Sequence, residues 1–261
     1  MAQTSDADLV RFSRFLLAPE VTEESLEKLR SASATVVGMG GLGCPVALYL
    51  AAAGVGELKL IDADTVDLSN LPRQILFGPD NCGQNKAQAA AARLLALYPL
   101  AQIQPIAQAV TPENAQQLLA DTDLIIDCTD RFVSRHVLNE VCHALKLPLI
   151  IGSALQWSGQ LLVVDPRTDS LSPNSKGCYA CLFPKDQGEP VVDAACGAYG
   201  VISTAVGLIG LMQANEALKI LMGRPAATGQ IWQLETRSLG LEQMHFRPRK
   251  GCLVCGGLGK E

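Results

Sequence analysis

Residues 34–43 read Ala34-Thr35-Val36-Val37-Gly38-Met39-Gly40-Gly41-Leu42-Gly43, and they decide the fold. Ala34 to Val37 form a short apolar strand, and the alanine-rich run 42–53 forms a helix. Between them lies a Gly-x-Gly-x-x-Gly turn, a pattern that carries meaning only in this strand-to-helix setting. Glycines there permit a tight turn and close backbone approach, and the helix N-terminus offers unpaired N–H groups to an anion. A second strand, 57–62, ends in Asp62, 19 residues past Gly43, where a carboxylate can accept hydrogen bonds from ribose hydroxyls. Gly38, Gly40, Gly41, Gly43 and Asp62 are therefore candidate nucleotide-binding residues. The plainer alternative is that the turn serves packing alone.

Outward from this βαβ unit the alternation continues with a helix over 85–97, a strand near 103–107 and a helix capped by Thr111 with Pro112 in its first turn. A buried strand follows over 123–128, then a helix over 132–145 and a strand over 148–151. Four strand-helix alternations imply a parallel, doubly wound α/β sheet of Rossmann type. The second half changes character. A strand over 159–164, a Pro/Ser/Cys-rich loop over 165–196, a long helix over 201–222 and strands over 230–235 and 241–246 suggest an antiparallel close. Ahead of all this, residues 6–32 read as two amphipathic helices separated at Ala18-Pro19-Glu20, with Thr22 as N-cap of the second. No repeat or linker forces a boundary, so one domain over 1–261 is expected, with parts at 1–32, 33–153 and 154–261.

Bulk composition narrows the function. With 48% hydrophobic residues the 261-residue chain can bury a sizeable core. A net charge of -5 without a basic stripe argues against nucleic acid as partner. The acidic opening residues lack the pattern of a secretory signal, which makes the cytoplasm the expected compartment. Residues 194–215 carry no charge, but their glycines and polar residues favour a buried or interface helix over a membrane span.

A polar stretch over 64–84 interrupts the alternation and selects the nucleotide. It contains Ser69-Asn70-Leu71-Pro72-Arg73-Gln74, and Lys86 follows it. A dinucleotide enzyme has no need of two cations there. Triphosphate chemistry has, because negative charge shifts on the phosphates as pyrophosphate leaves. Either cation alone would more often be a solvated surface charge. Asp130, just past the strand that ends at Cys128, adds a carboxylate able to hold Mg²⁺.

Nine cysteines in a reducing compartment point to metal rather than disulfides. Cys178-x-x-Cys181 and Cys252-x-x-Cys255 have the spacing of a closed, structural four-thiolate zinc site. The rival, a redox Cys-x-x-Cys, opens a helix directly after a strand, and neither pair does so. Cys196 lies just ahead of the long helix, where the helix dipole favours a thiolate. Cys44 is expected under the glycine turn, and Cys128 and Cys142 in the core.

These residues resemble the ThiF/MoeB/HesA branch of the ubiquitin-activating enzymes over nearly the whole chain. The resemblance rests on Arg11-Phe-Ser-Arg14, the glycine turn, residues 51–56, Ile61-Asp-Ala-Asp64, residues 69–74 and 83–86, Asp127-Cys-Thr-Asp130, both cysteine pairs and residues 207–219. It implies a homodimer in which Gly41, Asp62, Asn70, Arg73, Lys86 and Asp130 contact ATP and Mg²⁺. Asp64, Ser69 and Gln74 complete that candidate site, and Arg14 would reach the nucleotide of a neighbouring copy. The implied reaction is adenylation of the C-terminal glycine of a ubiquitin-like sulfur-carrier protein ending in Gly-Gly, for thiamine or molybdopterin synthesis. A separate sulfur donor protein would then supply the thiocarboxylate sulfur. Cys196 aligns with a cysteine that joins the carrier covalently in thiamine-pathway members. The sequence departs from the pattern at Arg131, where an Asn commonly follows the Mg²⁺-binding Asp, so Arg131 is a candidate contact of altered character. The alternatives are a nicotinamide-dependent oxidoreductase, a tRNA-modifying relative and a non-catalytic docking protein.

Overall fold

The computed structural model describes residues 6–167, 176–185 and 200–256. Its frame is an eight-stranded sheet in the order β3-β2-β1-β4-β5-β6-β7-β8. The strands are β1 (Ser33–Val37), β2 (Glu57–Ile61), β3 (Gln102–Ile106), β4 (Leu124–Asp127), β5 (Leu149–Leu155), β6 (Ser158–Val164), β7 (Gln230–Glu235) and β8 (Gly240–His245). Strands β1 to β5 pair in parallel, and the pairs β5-β6, β6-β7 and β7-β8 are antiparallel. Chain order reverses between β1 and β4, which opens a crevice beyond their carboxyl ends.

The apolar runs explain the layering. Ala34, Val36, Leu124, Ile125 and Ile126 are fully buried, as strands covered on both faces require. Helix α4 (Gly43–Ala53) follows β1, α5 (Lys86–Leu97) follows β2 and α7 (Phe132–Leu145) follows β4. Short α6 (Ala115–Leu118) lies between β3 and β4, and short α8 (Tyr179–Leu182) between β6 and the long α9 (Ser203–Leu221). Helix α9 approaches so closely that a Cβ on Gly210 would lie 2.6 Å from Pro45 Cγ. Across the sheet, a Cβ on Gly152 or Gly159 would strike Gln213 or Ile209 of α9 at 2.4 or 2.3 Å. The glycines are the groove into which α9 sinks.

Three local expectations change. The first N-terminal helix is split into α1 (Asp6–Arg11) and α2 (Ser13–Leu16), because Phe12 turns inward and packs on Gly54. Thr22 does cap α3 (Glu23–Ser31), its hydroxyl accepting from the Ser25 N–H at 3.2 Å. Thr111 is not the cap of α6; its N–H donates to Asn114 Oδ1 at 2.8 Å, which folds 111–114 into a turn and delays the helix to Ala115. Strand β5 runs on to Leu155 because β6 folds back along it as a hairpin. Among the described residues no helix is long and apolar enough to cross a membrane.

Candidate active site and metal centre

The glycine turn sits at the crevice, and at both of its ends, Gly38 and Gly43, there is no room for a side chain. Gly38 has φ +93°, and a Cβ there would lie 2.8 Å from the Cys128 carbonyl oxygen. At Gly43 the added atom would meet the Gly38 carbonyl oxygen at 1.9 Å, a backbone clash that only movement of the turn could relieve. Gly43→Ala is therefore expected to cost about 3 kcal/mol or more. Urea unfolding checks this, and a midpoint equal to that of the parent protein would contradict the contact. Beneath the turn Cys44 is buried and donates to the Met39 carbonyl at 3.6 Å, and burial pushes its thiol up to about 12.

Asp62 faces the turn from the end of β2. One carboxylate oxygen accepts from the Met39 N–H at 2.6 Å and the other from the Asp64 N–H at 2.8 Å. Burial raises its pKa above the ordinary carboxylate value, opposed by those two backbone donors. Asn85 closes the far side. Its amide donates to the carbonyls of Asp62 and Asp64 at 2.9 and 3.1 Å, while its Oδ1 caps α5 at the Gln88 N–H. Lys86, the first residue of α5, is almost buried, and its ammonium lies 3.1 Å from Asp64.

The 69–74 segment forms the opposite rim. Asp67 caps a single 3₁₀ turn, Leu68–Asn70, by accepting from the Ser69 N–H. Asn70 donates to the Ser69 hydroxyl at 3.3 Å, and Arg73 returns to the Ser69 carbonyl at 3.1 Å. A Cβ on Gly41 would lie 3.5 Å from Arg73 Cγ, and one on Gly40 would lie 3.8 Å from Gln74 Nε2. Gln74 is buried with its amide oxygen lacking a partner among the described residues, an acceptor that a ligand's donor would satisfy.

The third side is the end of β4. Buried Asp127 accepts from the N–H and hydroxyl of Thr129 at 2.9 and 2.7 Å, which turns the chain out toward exposed Asp130 and Arg131. Gln213 of α9 donates to the Asp127 carbonyl at 2.7 Å. Gly38 lies against this same turn, so the glycine loop, Asp62, Asp64, Ser69, Asn70, Arg73, Gln74, Lys86 and Asp130 border one crevice. Asn85, Arg135 and Gln213 are additions to the expected set. Asn85 had a local signal, an N-cap residue before a helical run. Gln213 had none, since its partner is 86 residues away.

Two expected residues are not among these. Arg14 is exposed on α2, beside the C-terminal end of α4 where Phe12 meets Gly54. The glycine turn is at the other end of that 11-residue helix, about 16 Å away. Cys196 lies outside the described residues.

A cavity of about 270 Å³ is lined on one side by Arg135, whose Nη2 donates to the Thr129 carbonyl at 3.3 Å. Strand β4 ends at Asp127 opposite Ile151, so Ser153 and Leu155 of β5 extend past it and form part of the cavity floor. Arg135, Tyr179 and Phe183 form its wall. A second cleft of about 630 Å³, lined by Arg11, Lys28, Arg30 and Gly54, contains none of the candidate residues.

The four paired cysteines meet although 70 residues separate the pairs in sequence. Their sulfurs stand 3.8 Å (Cys178 to Cys181), 3.7 Å (Cys178 to Cys252) and 3.4 Å (Cys181 to Cys255) apart. These spacings exclude disulfides and match the edge of about 3.8 Å expected for a tetrahedron with metal–sulfur bonds of about 2.3 Å. The cage is closed and could hold a zinc ion. Hydrogen bonds from Cys178 and Cys255 drive the Cys181 thiol toward the thiolate that a metal requires.

The sulfur carrier protein ThiS adenylyltransferase of Escherichia coli (strain K12) is 40% identical over 253 residues, with 97% of each chain covered. The Drosophila sechellia adenylyltransferase and sulfurtransferase MOCS3 is 38% identical over 250 residues, which cover 95% of this chain and 53% of that protein. The chain thus spans about half the length of that larger relative. In fold, a crystal structure of E. coli MccB is similar, with a TM-score of 0.80 at 21% identity, covering 96% of this chain and 73% of that one. A profile of the ThiF family matches from Phe12 to Val254, through all three sides of the crevice, and the chain belongs to the ThiF family.

Proposed function

We propose that this protein is an ATP-dependent adenylyltransferase acting on the C-terminal glycine of a ubiquitin-like sulfur-carrier protein. The observation that carries the reading is the single crevice at the sheet's switch point, where the glycine turn, Asp62, Arg73, Lys86 and the Asp130 turn converge. In it the turn's N–H groups hold phosphate oxygens, Asp62 accepts from the ribose hydroxyls, and Gln74 offers its unpartnered amide oxygen. A carrier carboxylate attacks the α-phosphate, the bond to the β-phosphate oxygen breaks, and acyl-adenylate and pyrophosphate result. No enzyme nucleophile is needed. Arg73 and Lys86 neutralise charge that builds on the departing phosphates, which is catalysis by positioning and electrostatics. A magnesium ion held by Asp130 would share that neutralisation, and zinc in the four-cysteine cage would be structural.

The cavity lined by Arg135 is the path for the carrier's slender tail, and the small Ser153 side chain leaves room over its floor. A homodimer completes the site. Helices α4 and α9 leave Tyr49, Leu208 and Leu211 exposed, a surface a second copy would cover, and Arg14 is too far from its own glycine turn to serve it. The free thiols fit a reducing cytoplasm. After adenylation, the terminal sulfur of a donor persulfide would displace AMP to give an acyl disulfide, and a thiol attacking the donor-side sulfur would release the thiocarboxylate as a new disulfide forms; Cys196 is the candidate for a covalent link to the carrier.

The test is ATP–pyrophosphate exchange with carriers from the thiamine and molybdopterin pathways, each with and without its terminal Gly-Gly. Exchange that requires the intact tail, and a carrier mass increased by AMP, are the expected results. ATP binding without exchange for any carrier would remove the catalytic reading, and tight NADH binding without ATP binding would revive an oxidoreductase.

A further inference from the structure

Helix α7 connects the crevice and the cysteine cage through two polar side chains that are both buried. Arg135 donates through Nη2 to the Thr129 carbonyl at 3.3 Å, the residue before Asp130. Asn139 has no exposed surface and accepts through Oδ1 from the Tyr179 N–H at 3.1 Å, the residue after Cys178. Four residues apart, they lie on the same helix face, one above the other. Aromatic rings line the same stretch of the helix. His136 sits edge-on to Phe132 and to Tyr179, with ring centroids 4.4 and 5.1 Å apart, and Phe183 packs on Tyr179 at 5.0 Å.

The two backbone contacts are joined by a single turn of a 14-residue helix, with these rings packed against it, which makes a short and stiff path between them. If the Tyr179 backbone shifts, Asn139 must shift with it or leave a buried N–H without a partner. If the Thr129 carbonyl shifts, Arg135 experiences the same constraint. The metal cage and the Asp130 turn therefore share one support.

We propose that Asn139 and Arg135 are positioning residues that couple the four-cysteine cage to the Asp130 turn, so that magnesium nucleotide in the crevice tightens the cage's hold on its own metal. This rests on the reading of the crevice as an ATP site. Coupling between two binding sites is reciprocal, so it is measurable from the cage side without any turnover.

The experiment starts from the zinc-loaded chain and titrates it to equilibrium against a chelator of known zinc affinity. It is run with and without Mg²⁺ plus a non-hydrolysable ATP analogue, and binding of the analogue is measured separately. Zinc is expected to be held about five-fold more tightly in the presence of the analogue. In Asn139→Ala, zinc stoichiometry and analogue binding persist while the five-fold difference disappears. Analogue binding in the parent protein with unchanged zinc affinity would overturn the coupling alone, and that arm stands even where a variant fails to fold. A full five-fold effect retained in a folded variant would overturn the route through α7. Failure of the analogue to bind at all would overturn the ATP reading and the coupling with it.

Discussion

Replacing Arg73 or Lys86 with Ala should lower carrier-dependent ATP–pyrophosphate exchange by about 10²- to 10³-fold, the usual cost of deleting one donor aimed at developing charge. The expected loss follows from placement. Arg73 lies along Gly41, and Lys86 projects its nearly buried ammonium at the acid that follows Asp62. In water a point charge at these distances is heavily screened, whereas the Lys86 side chain is only 10% exposed. Stability should hardly change, because Asp64, the partner of Lys86, is exposed and resolvates when the ammonium is removed. The loss should fall mainly on turnover rather than on ATP binding, since the charges matter most as pyrophosphate departs. Lys28→Ala is the control. Its surface pairing with Glu24 lies on the second cleft, and exchange should stay as in the parent protein. Full exchange in both Arg73→Ala and Lys86→Ala, with melting points unaltered, would remove these residues from the phosphate site.

The second large effect is expected at the cage. Cys255→Ser should take bound zinc from one ion per chain to nearly none, because a closed four-ligand site has no spare donor to substitute. Metal binding free energy is folding free energy for the segments it joins. Here it would join the α8 segment to the 252–255 turn, whose cysteines share one buried cluster with Tyr179 and Val254. A loss of roughly 4 kcal/mol would lower the melting temperature by about 8 to 16 °C in a chain of this size. Cys252→Ser combined with Cys255→Ser should cost little more than either alone, since the same ion is lost only once. Zinc analysis of the purified variant decides the point, and stoichiometric retention of metal would refute the assignment.

Features visible in the sequence were those whose causes are local. The glycine turn announces itself because a strand, three crucial glycines and a helix are contiguous, and the cysteine pairs because metal geometry dictates their spacing. Asp62 and Asp130 could be placed by being at the ends of apolar strands. Three kinds of information were not local. Phe12 breaks a helical pattern only because Gly54, 42 residues on, offers it a seat. Thr111 loses its capping role because Asn114 accepts from its N–H and folds 111–114 into a turn, a choice between two good turn residues that composition does not rank. Gln213 sits in an apolar helix and reads as an intrusion until its bonds to the end of β4 are seen. The same holds for Arg135 and Asn139, polar residues on a helix whose buried face is otherwise aromatic and aliphatic.

Helix α9 also bears on how the molecule comes apart. It touches α4 and β4 on the nucleotide side, and β5 and β6 on the antiparallel side, through glycines that admit it to backbone distance. Neither side can shed that helix without exposing its own apolar interior. Amide hydrogens in β1 and in β6 should consequently exchange by one shared opening, and denaturation should proceed as a concerted event instead of stepwise release of one half.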